Sequence, residues 1–206
     1  MANTLYLLRH GQTALNASNI IQGQQIDAPL NDVGEQQAKL FWNKYKDAEI
    51  DLVVYSNLLR TKQTIDRFLT KPLPGLEYAG SREISWGNIE GKVNEGHVFE
   101  EYTRVTQAWL AGNFEAKSPN GESVTEVAVR CSTFLDIITK IPQQRVLVCT
   151  HGRIIRILVC LLMGWDFTRM DEASHSNTGL YLLEKIGEVW SIVLANDQSH
   201  LTSGNE

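Results

Sequence analysis

Short apolar runs alternate along the chain with longer stretches in which apolar residues recur every three or four positions. The short runs predict strands at residues 5–8, 51–55, 146–149, 179–183 and 189–194. The last two form a predicted hairpin that turns around Gly187. Strands that alternate with helices predict an α/β fold, in which a mostly parallel sheet carries helices on both faces as a three-layer sandwich. The hairpin implies at least one antiparallel strand near the C-terminus.

Helical spacing and capping residues predict the main helices. Asn31 opens the first, and the second follows the run at 51–55 through Ser56, which is free to cap it. Ser123 and Glu126 have the spacing of a capping box at the start of a third helix. A fourth covers about 154–163. These helices account for most of the chain between the strands.

Residues 81–120 are less regular, since glycines interrupt a segment rich in aromatic residues. We expect this segment to be a lid-like insertion that covers the site, within one domain spanning 1–206 and ending in a frayed tail at 202–206. Its aromatic side chains either stack on a ligand or form a small core; they are Trp86, Phe99, Tyr102 and Trp109.

Composition is that of a globular protein, with 206 residues, 43% of them hydrophobic and 21% charged. A net charge of −5 argues against nucleic-acid partners and against an anionic membrane surface. Three cysteines in apolar runs, with no metal-binding pattern, favour reduced core thiols and a cytoplasmic location. The longest apolar run is too short to span a bilayer. The oligomeric state stays open.

Two of the predicted strands end next to a His-Gly pair, at His10-Gly11 and His151-Gly152. Ligands of open α/β sheets bind beyond the carboxyl ends of the strands, so neighbouring strands would direct both histidines into one pocket. The histidines therefore mark the candidate site.

Two arginines extend this site, since Arg9 precedes His10 and Arg60 lies about one helical turn beyond the strand at 51–55. A helix N-terminus together with guanidinium groups binds oxyanions well. Arg153 and Arg156 follow the second histidine, and as helix residues we expect them to be solvated or ion-paired. We expect no role for His175.

The sequence has no motif of a zinc site, a nucleotide-binding loop or a serine hydrolase, which reduces the number of reactions that the two histidines could serve. No carboxylate or cysteine lies at zinc-ligand spacing from either histidine, and neither a Walker loop nor a Gly-x-Ser-x-Gly elbow is present. What remains is phosphoryl chemistry, with histidine as the nucleophile and cations as the clamp.

Several blocks, in order along nearly the whole chain, resemble signatures of the histidine phosphatase superfamily in its phosphoglycerate-mutase-like branch, small phosphatase type. They are Leu8-Arg9-His10-Gly11-Gln12-Thr13 with Asn16 and Gln22-Gly23, residues 56–64 around Arg60, Arg82-Glu83 with Glu90-Gly91, residues 119–123, Thr150-His151-Gly152, and residues 196–201.

The resemblance implies a phosphomonoester hydrolase in which His10 becomes a phosphohistidine. It further implies that Arg9, Arg60 and His151 neutralise the phosphoryl oxygens, without a metal or another cofactor. Glu83 would be the proton donor, with Glu90 as its nearest rival. The residues expected to bind substrate are Asn16, Gln22, Gly23 and Gly152.

Three alternatives accompany this interpretation. Phosphoglycerate mutase activity is disfavoured, because the segment 81–120 offers only isolated basic residues for a substrate carboxylate. A non-catalytic module that binds phosphorylated ligands would not need the complete set of residues. A metal-dependent two-histidine hydrolase would be sensitive to EDTA. In each case the expected partner is a small phosphorylated metabolite, and its identity stays open.

Overall fold

The structure, a computed structural model of the chain, describes residues 2–202. The strands are β1 (Thr4–Arg9), β2 (Leu52–Tyr55), β3 (Gly75–Glu77), β4 (Arg145–Thr150), β5 (Leu180–Ile186) and β6 (Val189–Asp197). The α-helices are α1 (Ala14–Ala17), α2 (Asp32–Tyr45), α3 (Leu59–Leu69), α4 (Gly96–Leu110), α5 (Val124–Lys140), α6 (Gly152–Met163) and α7 (Ser199–Thr202). Short 3₁₀ turns cover Ala79–Ser81, Gly87–Ile89 and Phe167–Glu172. Of the predicted frayed tail, Thr202 ends α7 and residues 203–206 lie outside the described residues.

One sheet contains these strands in the order β3-β2-β4-β1-β5-β6. Neighbouring strands from β3 through β1 run parallel, whereas β5 is antiparallel to both β1 and β6. The predicted hairpin is therefore β5–β6, and Gly187 takes a positive φ of 63° in its turn. The mostly parallel sheet with an antiparallel C-terminal part is confirmed.

Side chains of β4 divide between two cores, as the alternation of a strand requires. Val146 and Val148 belong to a core that includes buried residues of α5 and α6. Leu147 and Cys149 belong to a second core, built with buried residues of α2 and α3. Helices therefore cover both faces of the sheet, which confirms the three-layer prediction.

Two of the predicted helix caps are present. Asn31 Oδ1 accepts a hydrogen bond from Gly34 N at 2.9 Å at the start of α2. At the start of α5, Ser123 Oγ accepts from Glu126 N while a Glu126 oxygen accepts from Ser123 N. Such caps satisfy amides that have no partner inside the helix, and each stabilises its helix by about 1 kcal/mol.

The expected Ser56 cap is wrong. Helix α3 has Leu58 at its N-cap, with no side-chain cap, because Ser56 lies two residues too early and bonds to His151 instead. The amide of Leu59 in the first turn already donates to Asp27 Oδ1 at 2.6 Å. This helix N-terminus is therefore occupied by a carboxylate rather than open to a ligand.

The interpretation of 81–120 as an irregular segment is wrong over Gly96–Leu110, which forms α4. Val98, Val105 and Trp109 of α4 are buried in the core shared with α5 and α6. The one-domain extent and the covering role of 81–120 stay predictions.

The edge strand β3 was not predicted because its three residues are exposed and show no alternation. No helix within residues 2–202 is long and apolar enough to cross a membrane.

Candidate active site

A cavity of about 250 Å³ lies beyond the carboxyl ends of β1 and β4. The predicted site residues that line it are Arg9, His10, Asn16, Gln22, Arg60, Glu83 and Gly152, whereas Gly23 and His151 do not line it. In the parallel pairing of the two strands, Arg9 lies opposite Thr150. The histidines that follow are therefore level with each other, and their ring centroids are 5.2 Å apart.

His10 is buried, and its ring orientation is set by its own loop. Nδ1 lies 2.7 Å from the carbonyl oxygen of Gly11. Because a carbonyl oxygen only accepts, the ring proton is assigned to Nδ1, which leaves a lone pair on Nε2. Burial, and after it the charges of Arg60 and Arg9, lower the pKa of His10 well below its usual value of 6.5. His10 is thus neutral near pH 7, with a nucleophilic Nε2.

His151 is buried beside His10 and forms a hydrogen bond with Ser56, the residue that follows β2. Its Nε2 lies 2.7 Å from Ser56 Oγ, which also accepts from Leu58 N. Its Nδ1 is buried and has no partner among the described residues. With the serine hydroxyl donating to Nε2, Nδ1 carries the proton and is an unused donor. Burial and the nearby Arg60 lower the pKa of His151 well below its usual value, so the ring is neutral.

Arg9 and Arg60 are held by backbone carbonyl groups rather than by carboxylates. Arg60 Nη1 donates to Ile26 O at 2.7 Å and Nη2 to Gly23 O at 3.3 Å, while Arg9 Nη1 donates to His175 O at 3.4 Å. The Nε atoms of both are buried without a partner among the described residues. Burial lowers the pKa of Arg60 to about 10, so it stays charged. A buried, unpaired cation of this kind attracts an anionic ligand.

Glu83 follows the 3₁₀ turn at Ala79–Ser81, and its side chain reaches the start of α6. Its carboxylate accepts from Ile84 N at 3.0 Å and from Arg153 N at 3.4 Å. Arg130, from α5, fixes the backbone here by donating to the carbonyl of Glu83. The rival Glu90 does not line the cavity, and its carboxylate accepts from Trp86 N instead. The structure therefore places Glu83 at the cavity and Glu90 in the supporting structure.

The remaining predicted ligand-binding residues differ in what they do. Asn16 Oδ1 accepts from Thr13 N in the capping box of α1, and Gln22 Nε2 donates to Thr13 Oγ1 at 2.7 Å. Gly23 supports Arg60 through its carbonyl, and a Cβ on it would lie 2.1 Å from Glu90 Oε1. A larger residue there would displace the carboxylate of Glu90 from its hydrogen bonds with Trp86 N and Gln25 N.

Gly152 begins α6 and carries the ring of His175 against its backbone. A Cβ on Gly152 would lie 2.5 Å from His175 Cε1, so a larger residue would displace the ring. His175 itself lines the cavity, contrary to the expectation that it has no role. Burial, followed by the charges of Arg9 and two further arginines, lowers the pKa of His175 to about 2, which keeps it neutral.

Those two arginines, Arg153 and Arg156, also line the cavity. They are ion-paired, as expected, but they are not solvated surface residues, since their side chains are only 10% and 16% exposed. Their spacing of three residues on α6 was the available signal, because it places both on one helix face.

Residues 196–201, the block that resembles a family ending, support the site through a contact with Thr178. His200 Nε2 lies 3.0 Å from Thr178 Oγ1. Thr178 N donates to the carbonyls of Arg9 and His10, and its φ of 54° is unusual for a β-branched residue. This strained residue therefore fixes the end of β1. Within residues 2–202, no group of three or more His, Cys, Asp or Glu side chains is placed to hold a metal ion.

Comparisons with known proteins agree with this geometry. A family model described as "Histidine phosphatase superfamily (branch 1)" matches residues 5–198. The chain is 31% identical to "Probable phosphoglycerate mutase GpmB" of Erwinia tasmaniensis, covering 96% of this chain and 94% of the relative. It is 29% identical to "Putative phosphoserine phosphatase 2" of Hydrogenobacter thermophilus, covering 95% and 96% of the two chains.

Among solved structures, a mycobacterial glucosyl-3-phosphoglycerate phosphatase superposes with a TM-score of 0.83 at 23% identity, covering 96% of this chain and all of that one. This likeness concerns the fold. The match over residues 5–198, which contains all nine predicted site residues, decides the family. The chain belongs to the histidine phosphatase superfamily, branch 1.

Proposed function

We propose that the protein is a phosphomonoester hydrolase that acts through a phosphohistidine on His10. The observation that carries the proposal is the free Nε2 lone pair of a neutral, buried His10 in a cavity that two uncompensated arginines line. A nucleophile beside unpaired cations suits a phosphoryl group, because the cations offset the charge of its oxygens while the nitrogen attacks phosphorus. The relatives named as phosphatases support the same reaction class.

The first chemical step forms a bond between His10 Nε2 and phosphorus and breaks the bond from phosphorus to the ester oxygen. Glu83 gives its proton to the departing oxygen, which leaves as an alcohol. Arg9 and Arg60 hold the phosphoryl oxygens, and His151 donates its unused Nδ1–H to one of them. Dividing the displacement in two in this way replaces one difficult step by two easier ones.

In the second step water attacks the phosphohistidine. The carboxylate of Glu83 takes a proton from that water as the new oxygen–phosphorus bond forms and the bond to Nε2 breaks. Inorganic phosphate leaves, and Glu83 holds a proton again. Every group in this cycle belongs to the chain, so we propose that the reaction needs no metal and is unaffected by EDTA.

The expected substrate is a small phosphorylated metabolite, since the cavity volume of about 250 Å³ is below the roughly 300–1,000 Å³ of pockets that hold drug-sized ligands. The three free, buried cysteines suit the proposed cytoplasmic location, where thiols stay reduced.

The decisive experiment measures phosphate release from a panel of phosphomonoesters by the wild type and by His10→Ala. Loss of a covalent nucleophile is expected to lower kcat by a factor on the order of 10⁴ or more. Wild type quenched in alkali or in denaturing detergent should carry a phosphate label that is stable in base and lost in acid, as a phosphohistidine is, and His10→Ala should carry none. Near-normal turnover by His10→Ala contradicts the mechanism.

Phosphoglycerate mutase activity is a second candidate, and the GpmB relative favours it. Incubation with 3-phosphoglycerate separates the two, because a mutase yields 2-phosphoglycerate and a phosphatase yields inorganic phosphate and glycerate. Efficient interconversion would replace hydrolysis as the main activity. Tight phosphate binding without turnover of any ester would instead indicate a non-catalytic module.

A further inference from the structure

The end of the cavity formed by α6, residues 153–156, carries a second pair of guanidinium groups. Arg153 and Arg156 lie three residues apart, so they share a face of the helix, and both line the cavity. Neither has a role in the reaction proposed above.

Arg153 is fixed in place by several contacts. Its Nη1 lies 2.9 Å from Asp171 Oδ1, and its Nη2 donates to the hydroxyl of Tyr102 at 2.7 Å. The guanidinium carbon is also 5.5 to 5.8 Å from the ring centroids of Trp86, Tyr102 and Trp109. Contacts with aromatic faces hold a guanidinium without neutralising it. Arg153 is therefore a rigid cation.

Arg156 shares the same counter-ion. It forms an ion pair with Asp171 Oδ1, and its Nε is buried with no partner among the described residues. Burial, and then the charge of Arg153, lowers the pKa of Arg156 to about 10, so Arg156 remains charged. Two guanidinium groups thus share one carboxylate, which leaves one positive charge uncompensated.

We propose that Arg153 and Arg156 bind a second anionic group, a carboxylate, on the same phosphomonoester. The proposal rests on the proposed function, in which Arg9 and Arg60 offset the two charges of the phosphate ester and Glu83 holds a proton. The remaining positive charge then lies at the α6 end. A single carboxylate matches that charge and the planar fork of a guanidinium, whereas a second phosphate would bring an excess of negative charge.

His175 connects the two ends of the cavity. Arg9 donates to its carbonyl, and its ring packs on Gly152 at the start of α6. Because this ring is neutral, it separates the two cationic pairs without adding charge of its own. A compact substrate with its phosphate and its carboxylate a few bonds apart therefore suits the cavity.

The test compares esters that differ only in the carboxylate: O-phosphoserine with O-phosphoethanolamine, and 3-phosphoglycerate with glycerol 3-phosphate. The quantity of interest is the ratio of kcat/KM within each pair. We expect the wild type to favour the carboxylated member by about 10- to 100-fold, the range for hydrogen bonds to charged groups. We expect Arg156→Gln to remove most of this preference.

Arg169→Gln is the matched control, since Arg169 belongs to the neighbouring 3₁₀ turn and pairs with Glu172 on the surface. It should keep the wild-type ratio. An unchanged ratio in a folded Arg156→Gln, or a wild type without preference, overturns the proposal.

Calorimetric titration of the inactive His10→Ala protein with 3-phosphoglycerate and with glycerol 3-phosphate, beside phosphate release by the wild type, decides the matter even if Arg156→Gln fails to fold. Equal dissociation constants would overturn the carboxylate subsite. Tighter binding of 3-phosphoglycerate, without phosphate release from any ester, would support the subsite while refuting the hydrolase. Phosphate release from every ester without preference would support the hydrolase and overturn the carboxylate subsite.

Discussion

Two pairs of arginines line one cavity, and they are held in opposite ways. Arg9 and Arg60 donate to backbone carbonyls, whereas Arg153 and Arg156 share the carboxylate of Asp171. A carbonyl orients a guanidinium without cancelling its charge, while a carboxylate offsets part of it. The first pair, which forms no ion pair among the described residues, therefore offers more of its charge to a ligand than the second. The partner of a buried arginine, rather than burial itself, thus decides how strongly the arginine attracts an anion.

Glu83 lines the same cavity, and after the loss of His10 itself its replacement is expected to have the largest effect. Glu83→Gln cannot protonate a departing alcohol, so kcat/KM for alkyl phosphates should fall by about 10²- to 10⁴-fold. The loss should be much smaller for p-nitrophenyl phosphate, whose leaving group needs no proton. Steady-state phosphate release with both substrates measures the difference.

Glu90→Gln is the matched comparison for this prediction. Glu90 holds the backbone of Trp86, so its replacement should impair both substrates equally. If Glu83→Gln also impaired both equally, Glu83 would not be the proton donor.

The next largest loss of activity is expected when Arg60, which forms no ion pair among the described residues, is replaced. Arg60→Gln should lower kcat/KM by about 10²- to 10³-fold for esters with and without a carboxylate, since it removes stabilisation of the reacting group itself. A loss confined to the carboxylated esters would mean that the two ends of the cavity have been assigned the wrong way round.

The pH profile gives Arg60→Gln a second readout. Protonation of His10 removes the Nε2 lone pair, so activity falls as the pH drops through the pKa of His10. Arg60 is the charged neighbour that lowers this pKa most, whereas Arg156 is not among the main causes. The acidic limb should therefore move to higher pH in Arg60→Gln and stay in place in Arg156→Gln. Substrate ionisation is common to all variants and cancels in the comparison.

The smallest expected effect concerns the positioning of His151. Ser56→Ala removes the hydrogen bond to His151 Nε2, worth about 1 kcal/mol, and kcat should fall by roughly 5-fold. Ser81→Ala is the control, because Ser81 is equally buried but its hydroxyl donates to Tyr78 O. Ser81→Ala should lose thermal stability without losing kcat; a matching loss of kcat in both variants would show that the effect is only structural.

Prediction from sequence succeeded where the information is local. The β-branched runs identified β1, β2, β4 and the hairpin, and the capping residues Asn31 and Ser123 marked the starts of α2 and α5. Helix α4 was missed because glycines and aromatics obscured the spacing of its buried residues. His10 and His151 were found because each follows a strand, whereas Glu83, Asn16 and Gln22 were assigned from the family resemblance.

The α6 end of the cavity could not be found in this way. A charged residue has the same appearance in a sequence whether it lines a pocket or faces solvent. The position of Arg156 depends on which face of α6 meets the cavity, and its charge depends on Asp171, fifteen residues further along. Likewise, His175 matters only because Gly152 leaves room for its ring.

The place of β1 in the sheet has a consequence for how the chain is made. Of the six strands, β1 leaves the ribosome first, yet its two neighbours are β4 and β5, about 140 and 175 residues later. Its edges stay unpaired throughout most of synthesis, which exposes it to wrong pairing and makes folding slow. His10 meets His151 only when β4 docks. The nascent protein therefore has no phosphate site until β4 and His151 have been translated.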